Sequence, residues 1–308
     1  MISVCAKTLE VINGACGSAN KGYVYDASGY GTDSFCSKGN ASPSSPAFPS
    51  VGNSVSWICN GINGGTNASC SANHESVIYT ETIDGNYIVG TFTLAGSTSA
   101  STSWIAPAGV TSVEYLVVAG GGSSGNTYNT FLGAGGGGGG EVKTGLLNVT
   151  PGNSYFTTVG SGGFNSIFSN ITALAGVSGS GRNGGMSGNG YSGGSGSGDS
   201  GGGGGAGGGG NVSIGGNGAA VGGNYQGGNG GNGVLSLISG FNVYYGGGGG
   251  GGSYGGSPGT GGIGGGGNGT TGNGSSGGAN TGGGAGGGRA SYSFLGGSGI
   301  VIIRYSIP

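Results

Sequence analysis

The sequence predicts an all-β chain in which a small disulfide-stapled module precedes a β frame carrying an inserted polyglycine-II helix bundle. Three observations predict it. Of 308 residues, 91 are glycine and only 5% are charged. All five cysteines, Cys5, Cys16, Cys36, Cys59 and Cys70, lie in the first quarter. The chain then closes on Ile300-Val301-Ile302-Ile303, an apolar run of strand length that needs a partner on the other side of the glycine stretch.

Residues 1–76 are expected to form the cysteine-stapled module. They are rich in Ser, Asn, Pro and Gly, and Ser42-Pro43-Ser44-Ser45-Pro46-Ala47-Phe48-Pro49 reads as loop because each proline blocks regular pairing. A core of Tyr23, Tyr25, Phe35, Phe48 and Trp57 is small, so disulfides must supply stability, roughly 2–4 kcal/mol each. Cys16, Cys36, Cys59 and Cys70 are the candidate disulfide cysteines, with connectivity open. The stretch from Cys5 to Ile12 echoes Cys70 to Ile78, each running from cysteine through glutamate to Val-Ile. Cys5 therefore reads as the last cysteine of a preceding copy, or as a candidate interchain cross-link.

Residues 77–308 are expected to form the second domain, with a β frame at 77–160 and 299–308 and a polyglycine-II bundle at 161–298. Val77–Thr80, Tyr87–Leu94 and Val113–Val118 are β-branched and aromatic between turn residues, the signature of antiparallel strands. Pro107-Ala108-Gly109 is a turn between two of them. Glu141–Val149 and Tyr155–Val159 flank a second turn at Thr150-Pro151-Gly152-Asn153, and Gly299–Tyr305 is the closing strand.

Ordering so much glycine is costly, about 0.5–1 kcal/mol per residue beyond alanine. With almost no side chains to bury, backbone hydrogen bonds must offset that cost. A threefold extended helix points its N–H and C=O groups outward, so all-glycine copies can bond directly to one another. Gly228-Asn229-Gly230-Gly231-Asn232-Gly233 shows local threefold spacing, whereas the strict period of collagen is absent.

Val113–Gly122, the late glycine runs and Gly297–Tyr305 resemble the start and end of the glycine-rich domain of phage tail-fibre proteins and bacterial surface proteins. In tail-fibre tip adhesins, similar sequences form polyglycine-II bundles whose apical loops contact host receptors. Asn13–Ser18, Phe35-Cys36-Ser37, Trp57–Gly61 and the Asn63–Ala72 stretch resemble a tandem unit of secreted bacterial proteins. Together the resemblances imply an extracellular or cell-surface location, with a virion tail fibre as the alternative.

No enzyme signal survives inspection. Gly198-Asp199-Ser200-Gly201-Gly202 spells a serine-protease nucleophile signature, but His74 is the only histidine and lies in a polar junction. GxGxxG patterns recur without a βαβ context, and no zinc-type cysteine spacing exists, so no cofactor or metal is expected. A net charge of −2 gives no bulk attraction for nucleic acid, and no apolar run approaches the ~20 residues of a membrane span. The expected role is structural and adhesive: a subunit or displayed tip of a bacterial surface filament, or else a tail-fibre receptor-binding adhesin. The expected partners are copies of the chain itself and a cell-surface receptor or glycan. Tyr191, Tyr225 and Tyr254, flanked by turns, are the candidate ligand contacts. Tyr244 and Tyr245, beside Phe241 and Val243, are instead expected to cover bundle faces or to hold their insert to the frame.

Overall fold

A computed structural model describes residues 10–23, 27–74, 76–127, 132–197, 213–221, 224–289 and 293–307. Among these the protein is all β, without an α-helix. It divides into two compact units, Met1–Ile78 and Tyr79–Pro308. Cys5 and Tyr25 lie outside the described residues, as do Asp199 and Ser200 of the protease-like signature.

The first unit contains β1 (Ala15–Cys16), β2 (Gly22–Tyr23), β3 (Cys36–Lys38), β4 (Asn40–Ser42), β5 (Ser54–Asn60) and β6 (Ala68–His74). Four form a sheet in the order β2-β6-β5-β4, and β1 pairs with β3. Alternation along β5 and β6 turns Trp57, Cys59, Cys70 and Ala72 into the core. Disulfides join Cys16 to Cys70 and Cys36 to Cys59, so both bridges tie the short ribbon to the central strands. The Sγ atoms of Cys59 and Cys70 are 3.5 Å apart, placing the two bridges side by side. Tyr30, which the sequence reading passed over, is central to the aromatic packing. Its ring lies 4.9 Å from Phe35, 5.0 Å from Phe48 and 5.5 Å from Tyr23, all edge-on.

The second unit opens with β7 (Val77–Asp84), β8 (Tyr87–Leu94), β9 (Ala100–Ile105), β10 (Ser112–Val118), β11 (Val142–Asn148), β12 (Ser154–Val159), β13 (Ser166–Phe168) and β14 (Ile171–Ala173). Then come two hairpins, β15 (Ala219–Val221) with β16 (Asn224–Gln226) and β17 (Val234–Ser236) with β18 (Val243–Tyr245). The closing strand is β19 (Ile300–Ser306). Two antiparallel sheets, β11-β10-β19-β8-β7 and β14-β13-β12-β9, pack face to face. Val113, Val117, Val301, Ile303, Phe92 and Phe168 are buried, and Trp104 meets Tyr305 across the sheets at 5.6 Å. β9 is Ser/Thr-rich and lacks the apolar signature, so only its pairing with β12 identifies it as a strand.

β19 sits between β10 and β8, so the last strand is central to the larger sheet. Arg304 stands in register with Glu114, and its Nε donates to Oε2 at 3.0 Å. The outer face of this sheet, with Val89, Leu116, Val118, Val142, Ile300 and Ile302, is covered by the β17–β18 hairpin through Val234, Ile238, Val243 and Tyr245. Tyr245 thus holds the insert to the frame, while Tyr244 stays on the surface.

Between strands, the glycine segments bond to one another with a period of three. The N–H groups of Gly247, Gly248 and Gly249 donate to Gly264, Gly231 and Gly137, three different segments, at 2.8–3.0 Å. Gly250, Gly251 and Gly252 then donate to Gly267, Gly228 and Ala134, three residues further along the same segments. The first neighbour therefore runs parallel and the other two antiparallel. Close approach requires glycine here, because a Cβ on Gly249 would stand 1.9 Å from the Ala285 carbonyl oxygen.

The compositional boundary at 160/161 is crossed in both directions. Segments 119–125 and 134–141, assigned from sequence to the frame, belong to the glycine network: Gly122 donates to Gly138 and Gly137 to Ala285. β13, β14 and the β17–β18 hairpin, assigned to the bundle, pack with the frame. Composition counts side chains, whereas membership is decided by where each N–H finds its carbonyl.

At the outside of the network, asparagine side chains stand in for backbone. Asn229 and Asn232 accept from the N–H groups of Thr260 and Ile263, at 2.9 and 3.2 Å. Asn217 and Asn268 do the same for Ser195 and Gly261. Among the described residues, their amide oxygens accept from N–H groups that make no bond to a backbone carbonyl, and the three-residue spacing of Asn229 and Asn232 serves two such groups in turn.

Candidate ligand-contact loops

The hydrogen-bond register sorts the turns of the second unit to two ends. Ala119 leaves β10 and bonds to Glu141, which leads into β11, so both lie at the level of the sandwich. Gly125 bonds to Gly135 and marks the far end. Gly252 and Gly288 both bond to Ala134, and Gly181 bonds to Gly135, so these too are at the far end. Gly227 donates to Ser257, which brings the β15–β16 hairpin to the same level as the turn after Ser253.

Two of the three candidate tyrosines meet there. The Ser253 hydroxyl donates to the Tyr225 carbonyl at 2.7 Å and accepts from the Gly256 N–H at 3.2 Å. Gly256 presses on the same residue so closely that a Cβ would overlap the Tyr225 carbonyl oxygen. The Tyr254 ring carries the Arg289 guanidinium 4.8 Å from its centroid. Arg289 is in turn tied by its N–H to the Gly272 carbonyl at 2.6 Å. Four segments, around 225, 254, 272 and 289, are therefore linked by these contacts.

Tyr191 is not part of this cluster. Its carbonyl accepts from Ser187 and its N–H donates to the Ser187 hydroxyl, while Gly188 bonds to Gly139 near β11. It sits at the sandwich end. Arg289 and Ser253 escaped the sequence reading, because an isolated arginine or serine among glycines carries no local signal. Only the register brings them to Tyr254 and Tyr225.

Titratable groups elsewhere serve packing. The Tyr79 and Tyr305 hydroxyls both donate to Glu81 Oε1, at 2.5 and 3.0 Å. Burial first, then the Glu81 carboxylate, pushes Tyr305 up to about 12 and raises Tyr79 further. His74 is buried in the first unit, its Nδ1 2.9 Å from the Pro49 carbonyl and its ring edge-on to Phe48. Among the described residues, no group of three or more His, Cys, Asp or Glu side chains is placed to hold a metal ion.

A family model described as a glycine-rich domain matches residues 93–306, more than half of the chain. The chain belongs to the glycine-rich domain family. The match runs from within β8 to the end of β19, so the glycine-rich domain takes in most of the sandwich together with the turns just described. The disulfide-bonded unit and β7 lie outside it. No curated protein matches the chain. The two disulfides suit an oxidising, extracellular environment. No helix among the described residues is long and apolar enough to cross a membrane.

Proposed function

We propose that this chain is an extracellular, non-enzymatic structural protein that displays an adhesive end, as the tip or subunit of a bacterial surface filament. The observation that carries the reading is the interlock of Tyr225, Ser253, Tyr254 and Arg289 at the far end of the glycine segments. Aromatic and guanidinium groups on turns fixed by a rigid scaffold suit receptor or glycan contact, because little order remains to be gained on binding.

We also read the glycine segments as a polyglycine-II bundle. Donation in rotation to three neighbours, with the cycle advancing by three residues, is what a threefold extended helix imposes. Such a bundle spaces the turns away from the sandwich at roughly 3.1 Å per residue. The disulfides favour a cell-surface protein over the second reading, a tail-fibre adhesin.

The test applies the labelled whole chain to a glycan array and to intact bacterial cells. Binding is expected, with Tyr254→Ala and Arg289→Ala each weakening it at least tenfold while Tyr191→Ala leaves it unchanged and melting is unaffected. Equal binding by all three variants, or no binding by the parent chain, would sink the reading.

A further inference from the structure

The larger sheet of the second unit has two edges, and they differ in protection. β7 carries Glu81 and Asp84. β11 carries one charge, Lys143, and that side chain is already engaged: its Nζ donates to the Thr172 carbonyl at 2.6 Å and lies 3.5 Å from Glu141. Beyond it, Thr144-Gly145-Leu146-Leu147-Asn148 has no charge, no proline and no bulge in its pairing with β10. Such an edge is an open template for another strand.

The register states which groups are open. Val149 donates to Thr111, and Ala119 donates to Glu141, so odd-numbered residues of β11 face β10. Alternate residues of an antiparallel ladder turn both polar groups to the same side. Thr144, Leu146 and Asn148 therefore turn N–H and C=O away from the sheet. Their side chains lie on its outer face, where Leu146 is 74% exposed. There Leu146, Leu235, Leu237 and Ile238 line a cleft of about 480 Å³ between β11 and the β17–β18 hairpin.

We propose that β11 is a self-association edge, pairing antiparallel with β11 of a second copy about a two-fold axis through Leu146. The occupant is set by self-complementarity. With Leu146 opposite its twin, Thr144 stands opposite Asn148 in both directions, and every outward N–H and C=O of the three residues is matched. No like charges are brought opposite each other, whereas pairing β7 with itself concentrates carboxylates. The two Leu146 side chains become cross-strand neighbours between the two leucine-lined clefts, and an isologous ten-stranded sheet closes the assembly at two copies.

The test is sedimentation equilibrium of the full chain between about 1 and 100 µM, in a Cys5→Ser background so that no cross-link through that thiol contributes. The parent is expected to dimerise, and Leu146→Lys to weaken the dimer at least tenfold while its melting temperature, taken at a concentration where both chains are monomeric, is unchanged. Hydrogen exchange supplies an independent readout, with the amides of Thr144, Leu146 and Asn148 slowing as concentration rises. A monomer throughout the range, a dimer that Leu146→Lys leaves equally tight, or exchange at these amides that ignores concentration would each overturn the proposal.

Discussion

Asn229 accepts the backbone N–H of Thr260 through its side-chain oxygen, at 2.9 Å, on the outer side of the glycine network. Deeper in, the carbonyl of a neighbouring glycine segment does that work, as Gly228 does for Gly251. A side chain with an amide at its tip is thus used as detached backbone where the layers of segments end.

Removing it should expose the dependence. Asn229→Ala is expected to cost about 1 kcal/mol, the net worth of one such bond, and to speed hydrogen exchange at the Thr260 amide. Asn229→Asp keeps an acceptor in place and should restore most of the loss. The idea fails if the alanine variant leaves exchange at Thr260 unchanged.

Glycines in the network are not equivalent, and paired substitutions to alanine separate them. A Cβ at Gly249 would sit 1.9 Å from the Ala285 carbonyl oxygen, whereas one at Gly272 meets nothing within 4 Å. Gly249→Ala is therefore expected to destabilise the second unit by about 3 kcal/mol or more, since backbone rather than a side chain must move. Gly272→Ala should change stability by less than about 1 kcal/mol, in either direction. Urea midpoints for the two variants check this, and similar values for both would contradict the close-packed network.

The first unit has a pH dependence of predictable sign. Asp33 is held by Lys21, whose Nζ is 2.7 Å from Oδ2, and by the Tyr23 hydroxyl at 2.8 Å. The Lys21 contact, then Tyr23 and Ser18, lowers the carboxyl from an ordinary 3.8 to about 2. A depressed folded-state value contributes stability that is complete above about pH 4 and is lost as pH falls toward 2. Asp33→Asn should flatten the melting temperature of the first unit across that window. An unaltered acid limb in this variant would rule the pairing out as its source.

The sequence determined what depends on local pattern. β-branched and aromatic runs located β8, β10, β11, β12 and β19, and Trp57 was legible as a core residue of the first unit, whereas its place on β5 was not. The crowding of cysteines at one end identified a stapled unit, and the glycine content excluded side-chain burial as what orders the glycine segments. Even the Asn229/Asn232 spacing was visible, although its purpose was not. What lay beyond the sequence were the non-local choices. A glycine carries no side chain to declare its neighbours, so which segment each N–H would reach is undetermined until all segments are in place. That is why hydrogen bonds of the glycine network run on both sides of the compositional boundary at 160/161, and why Tyr225 and Tyr254 lie at the far end while Tyr191 lies at the other. Disulfide connectivity has the same origin. Four cysteines are compatible with three pairings, and only the packing of β1 against β6 and of β3 beside β5 selects Cys16–Cys70 with Cys36–Cys59.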